Sequence, residues 1–291
     1  MKNTKLTIYT TIACLGACLP SVNAATTWNG NIDSDFGTSG NWTNNSPGNA
    51  TDDGNGNTAT INNGGTVNVT SNYTGANDYR LDISGGSTLN GSADFTADRL
   101  RIRNTGTVNL TGGAFTLPKT SASNNGGGLT IDSGGTLNIS GGNHIFNERS
   151  TINGTFRVDG SASTIRMNQI GTAFGDFEFI FDEGGVSTIT GDLGFSWLSL
   201  TNADVTVDGS AFNGIGSFTL FDGNAAGNPP PPGSFTITGL GAEGVGWTLD
   251  ITNNTDPGPN DTIVLTVLPE PSSTALLGLG GLALMLRRKR S

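Results

Sequence analysis

Between residues 64 and 158 one short phrase returns five times, and no other feature constrains the fold as much. Leu81-Asp82-Ile83-Ser84 leads to Gly85-Gly86-Ser87-Thr88-Leu89-Asn90, and Leu100-Arg101-Ile102-Arg103 leads to Thr105-Gly106-Thr107-Val108-Asn109-Leu110. Leu129-Thr130-Ile131-Asp132 leads to Gly134-Gly135-Thr136-Leu137-Asn138-Ile139. Weaker copies stand at Gly64-Gly65-Thr66-Val67-Asn68-Val69 and Gly154-Thr155-Phe156-Arg157-Val158. Each copy is two alternating runs joined by a glycine turn, which is the pattern of short half-buried strands. The equivalent positions Val67, Leu89, Val108, Leu137 and Phe156 lie 22, 19, 29 and 19 residues apart. A recurrence near 20 residues predicts a β-solenoid, in which each coil buries its alternate apolar residues only by stacking on the next. The 29-residue interval holds Ser121 to Gly128, read as a loop thrown out of one coil.

Stacking makes further predictions. Asn90, Asn109 and Asn138 align into an outward ladder of amides. Asp82 falls one coil from Arg101, a surface ion pair of about 0–1 kcal/mol. Beyond residue 160 the repeat fades. Phe174, Phe177, Phe179 and Phe181 then alternate as the buried side of a strand, with Glu178 and Asp182 outward. Residues 212–268 carry Phe218-Thr219-Leu220-Phe221, Pro229–Pro232, Phe235-Thr236-Ile237, Trp247-Thr248-Leu249-Asp250-Ile251 and Ile263-Val264-Leu265-Thr266-Val267. These predict a small β cap, because an open solenoid end exposes apolar coil and unpaired strand edge. A Greek-key β-sandwich is the structural alternative.

Composition supports an ordered, loop-rich all-β chain: of 291 residues 45 are Gly and only 13% are charged, yet the apolar residues fall into alternating runs. Residues 25–268 hold eight basic and 23 acidic side chains, a net of −15. That field repels phosphate backbones, so no nucleic-acid partner is expected. Both cysteines, Cys14 and Cys18, precede residue 20, so the body has no disulfide and no thiolate chemistry.

The two ends are addresses. Lys2 and Lys5, the apolar run Leu6–Leu19 and Val22-Asn23-Ala24 follow the plan of a secretory signal helix, with cleavage by signal peptidase between Ala24 and Ala25. Leu15-Gly16-Ala17-Cys18 offers a competing lipoprotein-type site. At the other end Ser272–Leu286 is apolar or small and stops at Arg287-Arg288-Lys289-Arg290. It is shorter than the ~20 residues of a usual helical span, but with a basic end it reads as a hydrophobic stop-transfer helix over 273–286.

Pro269-Glu270-Pro271-Ser272-Ser273, the Gly/Leu-rich segment and the basic cluster together resemble the PEP-CTERM sorting signal. The resemblance implies recognition near Pro269-Glu270-Pro271 by an exosortase-type transpeptidase, with anchoring in the membrane before processing and a cell-surface or extracellular destination after it. The repeat resembles those of autotransporter passenger regions, as do Thr27-Trp28-Asn29-Gly30 and Gly40-Asn41-Trp42. This implies a right-handed parallel β-helix (solenoid) over 25–211, followed by the cap at 212–268 and the tail at 269–291.

Catalytic residues are not expected. The single histidine, His144, lacks a motif supplying a nucleophile and an orienting carboxylate, and reads as a solvent-facing or stacked side chain. No His/Cys metal site is expected, nor any cofactor. Calcium is the one ion for which ligands exist: Asp52-Asp53, Asp182-Glu183 and Asp256–Asp261 put carboxylates in Gly/Asn-rich loops, but without EF-hand or nonapeptide spacing. Asp176, Glu178 and Asp182 would share one strand face and Arg99, Arg101 and Arg103 another, the minimum for a polysaccharide lyase or hydrolase. The leading expectation is a non-catalytic structural or adhesive surface protein, with extracellular polysaccharide a candidate partner. A carbohydrate- or calcium-binding module is the other alternative.

Overall fold

A computed structural model describes residues 25–47, 58–75, 79–118, 128–160, 163–173, 175–191, 203–223, 235–252 and 261–269, with Leu282 and Met285. The signal helix, Cys14, Cys18 and Ala24 lie outside these residues. So do Phe174, most of the expected 121–128 loop, the Pro229–Pro232 linker, nearly all of the 273–286 segment and Arg287–Arg290. Among the described residues no helix is long and apolar enough to cross a membrane.

The described chain is nearly all β, in curled sheets. The first strands are β1 (Thr26–Thr27), β2 (Thr58–Ile61), β3 (Thr66–Val69), β4 (Tyr73–Thr74), β5 (Arg80–Ile83), β6 (Thr88–Gly91) and β7 (Phe95–Thr96). Then come β8 (Arg99–Ile102), β9 (Thr107–Thr111), β10 (Phe115–Leu117), β11 (Gly128–Ile131), β12 (Thr136–Ile152), β13 (Thr155–Asp159) and β14 (Ser163–Ala173). The last seven are β15 (Asp176–Ile180), β16 (Ile189–Gly191), β17 (Asp204–Asp208), β18 (Gly216–Gly223), β19 (Phe235–Thr238), β20 (Trp247–Thr252) and β21 (Asp261–Val267).

β1 pairs in parallel with β2, and from β2 to β9 each strand pairs in parallel with the strand three places on, because two others intervene before the chain returns. β2, β5, β8 and β11 form one rank. β3, β6, β9, the start of β12, β13, β15, β17 and β19 form a second. β4, β7, β10 and the later part of β12 form a third, continued by β14, β16 and β18. The second rank keeps Val67, Leu89, Val108, Leu137 and Phe156 in strict register, as the repeat predicts. It also continues where the sequence repeat fades, through Phe177, Val205 and Phe235. The 29-residue interval leaves the register untouched, since Val108 still faces Leu137.

The core is built from these columns. Ile61, Ile83, Ile102 and Ile131 stack in register and are fully buried. Burying each such side chain contributes about 1.5–3 kcal/mol. Rings form a second thread: Phe36 meets Phe95 edge-on, Phe95 stacks on Phe115 at 5.0 Å, and Phe156, Phe177 and Phe221 continue it. Turn glycines let neighbouring segments approach closely. A Cβ at Gly135 would stand 2.6 Å from the Ile102 carbonyl oxygen, too close for any side chain.

Both ends of the described stack depart from the parallel pattern. At the start, Trp28 and Trp42 cross edge-on at 5.1 Å over the core. Buried Asn41 accepts from the Ile32 and Asp33 amides and donates to Asp33 Oδ1 at 2.6 Å. The Asp35 amide, more than Asn41, holds the Asp33 carboxyl below its usual range. At the far end β18 pairs antiparallel with β21, and β21 with β20.

Candidate functional site

The sorting residues follow directly on β21. This strand is held on both sides by β18 and β20, with Leu265 fully buried. One residue past it, the Leu268 amide donates to the Gly246 carbonyl at 2.8 Å, and Pro269 is exposed. Pro269 and Pro271 have no N–H to pair, and Pro271 disfavours helix at Glu270. Glu270, Pro271 and Arg287–Arg290 lie outside the described residues. Ala25, on the far side of the expected signal cleavage, is exposed just ahead of β1.

Among the described residues the outward candidates fall on the second rank and on the first. On the second rank, Asn138 donates to Asn109, Asn109 to Asn90 and Asn90 to Asn68, at 2.7, 2.9 and 2.9 Å, and Asn68 ends the run on Ser34 Oγ. The expected ladder of Asn90, Asn109 and Asn138 is therefore one rung longer. The copy at 64–69 already held that rung, Asn68. Beside it Thr66, Thr88, Thr107, Thr136 and Thr155 stand in register. Below Asn138 the column passes to Arg157, Glu178 and Thr206.

On the first rank the expected Asp82–Arg101 ion pair is replaced by a crossed arrangement. The two residues are backbone neighbours, but Arg103 pairs with Asp82, while Arg101 reaches Asp132 at 2.8 Å. A long guanidinium leans along the strand to a carboxylate two residues out of register. Arg99, Arg101 and Arg103 do share the outer side of β8 and the residue after it. With Arg80, Thr58, Asp82 and Thr130, Arg99 and Arg101 line a groove of about 310 Å³. Arg80 was not singled out by sequence, although it precedes Leu81 of the repeat just as Arg99 precedes Leu100.

The three acidic candidates do not share one strand. Asp176 and Glu178 are outward on β15, but Asp182 lies past its end in a turn, where its Oδ1 accepts the Gly184 amide at 2.8 Å. Phe177, Phe179 and Phe181 are buried as expected. Among the described residues no group of three or more His, Cys, Asp or Glu side chains could hold a metal. Asp52, Asp53 and Asp256 lie outside them.

His144 is neither in solvent nor on an outer stack: it is fully buried. The chain turns a corner at Gly142, whose φ is +95°, after a register shift between Ile139 and Gly141. The inward side of β12 changes there from odd to even positions, so His144 and Phe146 point in and Ile145 is half-exposed. His144 Nδ1 accepts the Phe115 amide at 3.2 Å and Nε2 lies 2.6 Å from the Gly141 carbonyl, which requires the Nε2–H tautomer. Burial pushes its pKa down, and the Gly141 carbonyl opposes this. Both ring nitrogens are thus used in holding backbone, which leaves no basic atom for chemistry.

One sequence motif has a defined place relative to the described strands: it follows directly on β21. Residues 267–290 match the family model of the PEP-CTERM protein-sorting motif. The chain carries that motif, which implies an exported, cell-surface-directed protein processed by an exosortase. Comparison with curated proteins finds no match, and comparison with solved structures finds none.

Proposed function

We propose that this protein is a non-catalytic structural or adhesive component of the cell surface or extracellular matrix. In this reading residues 1–24 direct export and are removed by signal peptidase between Ala24 and Ala25. Segment 273–286 holds the chain in the membrane, with Arg287, Arg288, Lys289 and Arg290 on the cytoplasmic side, until exosortase acts near Pro269, Glu270 and Pro271. The body is a right-handed parallel β-helix with a β cap over 212–268. It needs no cofactor and no metal, and extracellular polysaccharide is its partner.

One observation carries the reading: the sorting motif begins as the last strand ends. β21 finishes at Val267, where the matched motif starts. Processing beyond that point leaves every described strand intact, as a protein delivered whole to the surface requires. The in-register columns support the helical shaft, since parallel strands returning at every third position bury their apolar side only against neighbouring coils.

The test is localisation in a host that has an exosortase. The wild-type chain should reach the surface or medium without its basic tail, and a chain with Ala at 269, 270 and 271 should stay in the membrane fraction at full length. Identical fractionation of the two would overturn the reading. Separately, the protein is incubated with acidic and neutral polysaccharides. Turnover that disappears with Asp176→Asn or Glu178→Gln would replace the structural role with an enzymatic one.

A further inference from the structure

Where the chain leaves the body, its last strand ends between the beginnings of two others. Val267, at the end of β21, pairs with Gly216 at the start of β18 and with Trp247 at the start of β20. Antiparallel pairing therefore brings the residues just ahead of those strands, Ile215 on one side and Val245-Gly246 on the other, to the edge where Leu268 and Pro269 emerge. Among the described residues of the body, the large apolar side chains left exposed are Ile32, at the opposite end of the stack, and Ile215 and Val245, at 65% and 53%. Beside Ile215 and Gly246 lies a hollow of about 460 Å³, lined in part by Phe212, Leu240, Val267 and Leu268. Phe212 is backed by the rings of Phe181 and Phe218 at 5.2 and 5.1 Å, which makes the patch firm. Across residues 211–216 and 241–247 only Glu243 is charged.

We propose that this patch rests on the bilayer surface while the tail holds the chain, with Ile215 and Val245 seated among uncharged lipid headgroups. The site deepens the surface-protein reading and rests on its membrane-held segment 273–286. Tether length carries it. Ser273 follows Pro269 by four residues, and four residues span at most about 14 Å. The polar layer on each side of a bilayer is roughly 5–8 Å deep, so the edge of the cap meets the headgroups within that reach. The segment is also shorter than the ~20 residues of a usual span, which draws its flanks further in. An edge held there is stabilised by presenting apolar groups in place of charge, and Ile215 and Val245 do so. Trp247, whose Nε1 donates to the Gly241 carbonyl at 3.1 Å, adds an amphipathic ring of the kind that favours this depth. The acidic body repels anionic headgroups and so selects neutral ones.

The experiment uses the full chain with Cys14→Ser and Cys18→Ser, so that a single introduced cysteine carries an environment-sensitive nitrobenzoxadiazole probe. Ile215→Cys, Val245→Cys, Thr252→Cys and Ile32→Cys, all at exposed positions, are each reconstituted into phosphatidylcholine vesicles with and without headgroup-nitroxide lipid. Thr252 pairs with Thr262 at the other end of the same sheet, about 17 Å from Trp247 along the strand. Probes at 215 and 245 should brighten on reconstitution and be quenched several-fold by nitroxide lipid, and those at 252 and 32 should change little. Ile215→Glu should lower quenching at 245 several-fold, while Ile32→Glu leaves it unchanged. No quenching at 215 and 245, equal quenching at all four positions, or quenching at 245 indifferent to Ile215→Glu would overturn the proposal. Brightening that nitroxide lipid does not quench would also overturn it, since a second copy or another protein then covers the patch. Vesicle flotation separates the two kinds of failure. A chain that floats without quenching loses the patch alone, and a chain that does not float loses the membrane-held reading and the patch with it.

Discussion

Asn138 donates from Nδ2 to Oδ1 of Asn109 across 2.7 Å, although 29 residues separate them in the chain. The same bond repeats one and two coils earlier, so each central amide is at once donor and acceptor. Asn109→Ala should break two rungs and leave the Asn90 acceptor and the Asn138 donor facing a gap. Because the ladder is half-buried, water replaces part of the loss, and a decrease of about 1–2 kcal/mol is expected. Asn109→Asp should cost at least as much, since a carboxylate cannot donate to Asn90. Urea unfolding of both variants checks this, and an unchanged midpoint for the two would discard the ladder as a source of stability.

A threonine stands where its stacked equivalents are glycine. Thr105 has φ +67°, matching Gly86 at +75° and Gly134 at +79° in the coils on either side. A β-branched residue in the left-handed region carries about 1–2 kcal/mol of strain, while glycine adds back up to about 1 kcal/mol in unfolded-state entropy. Thr105→Gly should therefore stabilise the protein by up to about 1 kcal/mol, seen as a rise of about 2–4 °C in Tm. A lower Tm would show that the threonine hydroxyl contributes more than the strain costs.

His144 makes stability depend on pH. Its folded pKa is pushed below the ordinary 6.5 by burial, so below pH 6.5 the unfolded chain binds a proton that the folded chain does not. Stability should fall as pH drops from about 6.5 towards the folded value, with a slope of at most about 1.4 kcal/mol per pH unit. His144→Phe should lose stability at pH 7, about 1–3 kcal/mol, by orphaning the Phe115 amide and the Gly141 carbonyl. The diagnostic result is that the loss narrows at pH 5, because only the wild type bears the cost of the suppressed protonation. A constant difference across pH would rule the histidine out as the titrating group.

Leu137 lies at the middle of the second-rank column, between Val108 and Phe156, with no exposed surface. Leu137→Ala should cost about 2–5 kcal/mol, because the flanking coils are fixed by their ladders and cannot collapse into the space. The outward neighbour Thr136→Ala should change stability by less than about 0.5 kcal/mol. Equal effects from the two would contradict the inward and outward assignment.

Much of the fold is readable from residues alone, for a definable reason. Inward columns, the Thr and Asn ranks and the glycine turns all depend on a two-residue alternation and a coil length, and both are local quantities. The sorting tail is readable too, because an address is read as an extended sequence. What the tertiary structure decided began where alternation stops being sufficient. Arg103 rather than Arg101 takes Asp82, because guanidinium reach along a strand, not backbone register, selects the partner. His144 turned inward because the Gly142 corner shifted the alternation by one residue, and such a shift exchanges faces. The second rank ran on through Phe177, Val205 and Phe235, invisible as a repeat because stacking requires only an apolar side chain at the inward position and tolerates loops of any length between coils. The sequence by itself thus determined which side chains stack and where the chain is sent. Only the three-dimensional packing decided which charges meet, which face His144 takes and where antiparallel pairing ends the stack, because those choices lie between coils rather than along them.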